Sequence, residues 1–226
     1  MVSVLHGSNI ENWKRLIANA FTGQEIDIIE KWVINVGSLL VIADHMPFAG
    51  ASNKLAARFG FSYIDGFVLV KDQVWPPDSY IKDSGRLLET SITSGIDSIV
   101  GFTGSALLPA KNATVIALFP ETHHILVSEI AWQFDENTEI KPLGRTVMVA
   151  ISDCEKGRVA FFSEAAMFTA QIAQGMRKVG FNSPAAPQNM QFVLNTIHWI
   201  DDQEKRNREK IRYKHLERRS IHFYLK

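Results

Sequence analysis

Asp44, His45 and Glu164 occupy positions in this 226-residue sequence where chemistry could be done. Asp44 and His45 follow an apolar run, Ser38–Ala43, and precede an Ala-rich stretch. An acid beside an imidazole at a strand end could act as general base or as a pair of polar ligand contacts. Glu164 follows a second apolar run, Val159–Ser163, in the same way. If the two runs are neighbouring parallel strands, Glu164 faces Asp44. Two carboxylates and a histidine could then run acid–base chemistry or hold a divalent metal. Asn189, near the start of a helical pattern, is a further ligand candidate, whereas Asn195 falls on nearly the opposite face. Each residue also has a plainer reading. Asp44 could cap the next turn, His45 could bond a neighbouring loop, and Glu164 could be a favourable charge at a helix N-terminus. Strand-end position, where ligands gather in open α/β sheets, favours the chemical reading for Asp44, His45 and Glu164 together.

Other polar groups carry less. Cys154 lies in a charged turn with no elbow pattern around it. His123-His124, in Pro120-Glu-Thr-His-His, reads as a surface loop, with adjacent imidazoles pointing apart and no Cys or carboxylate at metal-site spacing. Gly101-Phe-Thr-Gly-Ser105 is too short for a phosphate loop and lacks its lysine; G-x-G-x-x-G and G-x-S-x-G are absent. No motif names a cofactor.

The elements that must position these residues follow from periodicity and punctuation. Thr22 and Glu25 have capping-box spacing, Phe21 and Ile26 staple spacing, and Ile26, Ile29, Val33 and Val36 form one helical face that Gly37 would end. Ser38–Ala43 is apolar on both sides, the pattern of a buried parallel strand. A helix near Ser52–Phe59 follows, then strands at Phe67–Val70, Ile99–Phe102, Thr114–Phe119, Thr146–Ile151 and Val159–Ser163, with a short strand at Val2–Leu5. Trp75-Pro-Pro-Asp-Ser reads as a loop, Asp153–Gly157 as a hairpin turn, and Glu164–Gln174 as a helix or partial helix. A last helix carries Met190, Val193, Leu194, Ile197 and Ile200 on one face. This alternation predicts an α/β protein with a mostly parallel sheet. Residues 1–200 form one domain, and residues 201–226 a charged, solvated helical tail.

Composition bounds the partners. Hydrophobic residues make up 46% and formal net charge is zero, so no global preference for nucleic acid or membrane arises. The tail holds nine Lys/Arg against five acids and interleaves them with Tyr213, Phe223 and Tyr224; the acids break up the basic run, which favours solvated helix over nucleic-acid binding. No apolar run reaches the 18 residues of a membrane span. No leader is legible at the start, and a lone cysteine gives no indication of redox compartment.

Four stretches resemble an uncharacterised bacterial family grouped with the DUF4350 domain and the wider class I glutamine-amidotransferase-like superfamily. They are Ala20-Phe-Thr-x-x-Glu-Ile26, Gly37–Gly50, Gly157–Gln171 and Gln188–Trp199. Gliding-motility transport proteins and some intraflagellar-transport domains look similar in fold. The resemblance implies a flavodoxin-like sheet with helices on both faces. It also implies a further strand–helix unit before Val2, so the first unit of the fold reads as missing here and an apolar sheet edge as open to association. The resemblance allows export of longer relatives and fixes no compartment for this chain. In active amidotransferases the strand corresponding to Leu39–Ala43 leads into a turn that carries a cysteine nucleophile; here that turn carries Asp44, His45 and Met46, so the resemblance itself argues against glutaminase chemistry. Two functions stand. One is a non-catalytic accessory domain binding a small polar ligand or a protein partner around Asp44, His45, Glu164 and Asn189. The other is a hydrolase using Asp44, His45 and Glu164 as acid–base or metal-binding groups.

Overall fold

The first helix, α1 (Gly23–Asn35), starts where the spacing predicts. The Thr22 side chain accepts from Glu25 N–H and the Glu25 carboxylate accepts from Thr22 N–H, closing the capping box. Such a cap contributes about 1 kcal/mol. The expected role of Gly37 changes, since it does not adopt a left-handed conformation. It is needed because the Trp32 ring lies against it: a Cβ there would sit 2.3 Å from Trp32 Cδ2.

The computed structural model describes residues 2–3 (as backbone), 13–70, 77–173 and 175–201. After α1 come β2 (Ser38–Ile42), α2 (Phe48–Arg58), β3 (Ser62–Val70), β4 (Asp78–Ile81), β5 (Ser98–Gly101) and β6 (Gly104–Leu108). Next are β7 (Thr114–Ala117), β8 (His123–Val127), β9 (Glu139–Pro142), β10 (Val149–Cys154) and β11 (Gly157–Phe162). The chain closes with β12 (Ala170–Ala173), β13 (Arg177–Gly180) and α3 (Asn189–Ile200); β1 is Val2–Ser3. Val4, Leu5, Trp75, Pro76, Gln174 and residues 202–226 of the expected 201–226 tail lie outside the described residues. Among the described residues no helix is long and apolar enough to cross a membrane.

The predicted flavodoxin-like, mostly parallel sheet is not what forms. The central sheet runs β1-β2-β11-β10-β7. It is parallel from β1 through β2 to β11 and antiparallel from β11 to β10 and β7. Beside it lie an antiparallel sheet, β6-β3-β8-β9, and two two-stranded ribbons, β4-β5 and β12-β13. Three helices accompany these strands among the described residues, so antiparallel ribbons, rather than repeated strand–helix units with helices on both faces, dominate the architecture. The physical reason lies in the turns. The two residues between Cys154 and Gly157 can join only antiparallel strands. A strand buried on both faces needs cover on both faces, not parallel neighbours.

Both faces of β2 and β11 are covered. Leu39, Val41, Val159 and Phe161 pack with Ile26 and Val33 of α1 and Leu55 of α2. Leu40, Ile42, Ala160 and Phe162 face Phe192 of α3, together with Val68, Tyr80, Ile99 and Ile125 from the flanking strands. Burying each such aromatic or aliphatic side chain stabilises the fold by about 1.5–3 kcal/mol relative to exposure.

Two further expectations are corrected. Glu164–Gln174 is not a helix: a 3-10 turn at Ala166–Phe168 gives way to β12, held by antiparallel pairing with β13. Thr169 is extended, its carbonyl accepting from Phe181 N–H at 2.6 Å, and tertiary pairing overrides the helical propensity of Ala-Ala-Met-Phe. His123-His124 is not a surface loop but opens β8, whose alternation buries His123.

Candidate functional site

Parallel pairing of β2 with β11 decides the site. Ile42 is the register partner of Phe162, and Ala43 N–H continues the ladder to Phe162 O at 3.0 Å. Asp44 and Glu164 therefore stand at matched positions, two residues past the last pair, on neighbouring strands running the same way. Their charges interact, and the conditional geometry posed by the sequence is met for this pair.

The two carboxyls differ in surroundings. Glu164 is 2% exposed, and its Oε2 accepts Met167 N–H at 2.9 Å while Oε1 accepts a long bond from Phe102 N–H at 3.4 Å. It thus starts the 3-10 turn, so the plainer role of a charge at a turn's beginning is filled as well. Burial pushes its carboxyl well above the usual range, the Asp44 charge adds to this, and the N–H groups of Met167, Phe102 and Ala166 oppose it. Asp44 is half-buried and accepts His45 N–H at 2.8 Å. Its carboxyl is raised by burial, against the pull of the His45 imidazole and of that N–H. Asp44 makes no capping bond to α2; Asp65 of β3 fills that role, accepting Gly50 N–H at 2.9 Å. Burial thus raises the proton affinity of both carboxyls, that of Glu164 more strongly.

His45 and Asn189 are engaged elsewhere. The His45 ring stacks on Phe67 with centroids 4.5 Å apart and lies edge-on to Trp132 and Phe48, and its Nδ1 is 2.6 Å from Met46 O. The Asp44 carboxyl feels its charge, but the imidazole faces an aromatic cluster. Among the described residues no group of three or more His, Cys, Asp or Glu is placed to hold a metal ion, so Asp44, His45 and Glu164 do not form a metal set. Asn189 is fully buried and clamps β5: Oδ1 accepts Val100 N–H at 2.8 Å and Nδ2 donates to Val100 O at 2.7 Å. Its ligand capacity is spent on the backbone.

A second polar group adjoins Glu164. Asp78 and Tyr80 of β4 face it, and both carboxylates act on the Tyr80 hydroxyl, which burial first and their charges next raise well above its ordinary value. His123 Nε2 is 2.8 Å from Asp78 Oδ1, without the alignment of a hydrogen bond. Polar side chains thus run from His45 through Asp44, Glu164, Tyr80 and Asp78 to His123. Trp75-Pro-Pro-Asp-Ser predicts loop at Asp78, and Pro120-Glu-Thr-His-His predicts surface at His123. The available signal was the apolar Ile-Leu-Val run directly after His-His, which fits a short strand. Cys154 is remote from all of this, at the far end of β10, and its thiol is raised by burial and then by Glu155 and Glu30.

No family model matches the chain, and no curated protein matches it. Among solved structures it is similar to the mmIFT52 N-terminal domain, at 14% identity and TM-score 0.53, over 80% of this chain and 72% of that one. It is also similar to a putative ThuA-like protein from Bacteroides uniformis, at 12% identity and TM-score 0.43, over 84% of this chain and 71% of that one. A cytoplasmic protein from Salmonella typhimurium matches at 16% identity and TM-score 0.39, over 78% of this chain and 60% of that one. At such identities the first likeness is one of fold, and no residue role transfers from it.

Proposed function

We propose that this chain is a non-catalytic binding module of the DUF4350-type group its motifs resemble, taking a small polar ligand at the strand ends around Asp44. The carrying observation is the half-buried Asp44 carboxyl at the end of a central parallel strand, backed by a buried Glu164 that can hold a proton for it. A donor and an acceptor side by side suit a ligand with both hydroxyl and carbonyl groups. His45 and Asn189 support the site rather than touch the ligand, since both are already engaged.

A hydrolase is the second reading, and one observation favours it: two adjoining carboxyls of unequal proton affinity are the equipment of general acid–base catalysis. Thermal-shift measurement on the full chain against amino acids, sugars, nucleotides and divalent cations tests the binding reading. A concentration-dependent rise in midpoint that Asp44→Asn abolishes is the expected result. A rise that survives Asp44→Asn, or none at all, refutes it. Turnover of a bound compound, lost in both Asp44→Asn and Glu164→Gln, would establish the hydrolase instead.

A further inference from the structure

β2 and β11 run from a groove of about 1080 Å³, beside Ser38 and Gly157 where they begin, to Asp44 and Glu164 at their other ends. α1 and α3 pack on opposite faces of the central sheet, so the groove receives an apolar wall from each. Trp32 and Val36, at the close of α1, form one wall, and Ile197 and Ile200 of α3 form the other. Val36 is 77% exposed, Trp32 51% and Ile197 44%. Ile28, one turn before Trp32, and Leu194 and Met190, before Ile197, continue the two walls and are exposed as well. Apolar side chains exposed on this scale mark a face that another molecule covers.

Two features say what covers it. The first is that one face holds both a ridge and a groove. Val36 and Trp32 stand out beside the hollow that Ile197 and Ile200 line. The Trp32 ring is already fixed, because it lies against Gly37 where a Cβ would be 2.3 Å away, so little freedom is lost when a partner covers it. The second feature is charge. The turn between β10 and β11 sets Glu155 and Lys156 side by side on the rim, and Lys156 N–H donates to Ile34 O at 3.3 Å, which holds the turn against α1. Both side chains are exposed, and among the described residues neither forms an ion pair. Asp153 and Arg158, on the same rim, already pair at 3.3 Å. Neighbouring charges of opposite sign are complementary to themselves across a two-fold axis, since each lysine then meets the other copy's glutamate.

We propose that this face joins two copies of the chain in a two-fold dimer. Trp32 and Val36 of each copy cover Ile197 and Ile200 of the other, and Lys156 of each pairs with Glu155 of the other. The dimer leaves the strand-end ligand position open, since Asp44 and Glu164 lie at the opposite end of the same strands.

Sedimentation velocity of the full chain, from about 1 to about 100 μM, tests this. Wild type should pass from monomer to a species of twice the mass within that range. Val36→Lys and Ile197→Lys, both at exposed positions, should each weaken association at least about tenfold and leave the circular dichroism spectrum unchanged. Glu155→Lys and Lys156→Glu should each weaken it about tenfold, because each sets like charges against one another across the axis. The double variant, which exchanges the two charges, should associate like wild type; only pairing between copies predicts that rescue. A monomer throughout the range, a dimer untouched by Val36→Lys, or a double variant no better than the singles overturns the assignment. The first of these results hands the groove to a different occupant, such as the chain's own residues 202–226, which follow Asp201 of its lining.

Discussion

Replacing Glu164 by Gln should change how stability responds to pH far more than it changes stability itself. Glutamine keeps the shape, and its carbonyl can accept Met167 N–H, as Oε2 does. The long bond from Phe102 N–H to Oε1 is given up, which sets a constant offset between the two proteins, so the difference that varies with pH is the titration. In wild type the folded-state value of Glu164 lies well above its ordinary value of 4.5. The folded protein therefore holds a proton that the unfolded chain has released. Stability from this group is complete below the unfolded value and is lost as pH rises through the folded one. Across that window one extra proton in the folded state gives a slope of about −1.4 kcal/mol per pH unit. For a chain of this size that is about 3–5 °C in midpoint per unit. Asp44 shifts in the same direction, so the proton belongs to the pair, and the slope of one proton is the expectation. Urea unfolding at intervals from about pH 5 upward measures it for wild type and variant. Glu164→Gln should track wild type near pH 5 and become the more stable protein as pH rises. Parallel profiles would show that Glu164 has the same proton affinity folded and unfolded, and would refute the buried-pair argument.

Asn189→Ala should cost about 2–4 kcal/mol in urea unfolding, because it strands both the N–H and the carbonyl of Val100 in the interior; a loss under 1 kcal/mol would mean that the clamp is not made. Cys154 should alkylate with iodoacetamide at about pH 8 several-fold more slowly than a free thiol, since burial and then Glu155 and Glu30 raise its pKa. A rate above that of free cysteine would mark an activated thiol and reopen nucleophilic chemistry.

Much of the scaffold around the pair was legible because its signals are local. The Thr22–Glu25 box, the apolar Leu39–Ala43 run and the short turn after Cys154 each act within a few residues. Strand direction was not local. Burial on both faces of β2 comes from α1, α2 and α3 with the flanking strands, and this cover is indifferent to whether β7 runs with β10 or against it. The matched positions of Asp44 and Glu164 were legible as a conditional, since two similar strand ends need only parallel pairing to meet. What became of His45 and Asn189 was not, because the aromatic partners of the imidazole come from Phe67 and Trp132 and the clamp partner is Val100. Nor was the Asp78–His123 contact, which joins two stretches that prolines and polar neighbours make look like loop.

The β2–β11 register has a consequence for folding. Leu40 and Ala160 pair across 120 positions of chain, while every ribbon in between closes locally or over shorter spans. Pairings this distant in sequence give little return until the loop entropy they close has been overcome, and they are a source of slow folding. The Asp44–Glu164 pair exists only once that ladder is in place. A chain with its hairpins formed but β2 not yet docked holds two ordinary, separately titrating acids. The uptake of one proton during refolding, followed with a pH indicator in weakly buffered solution, would therefore time the closing of the central sheet rather than the formation of any local element.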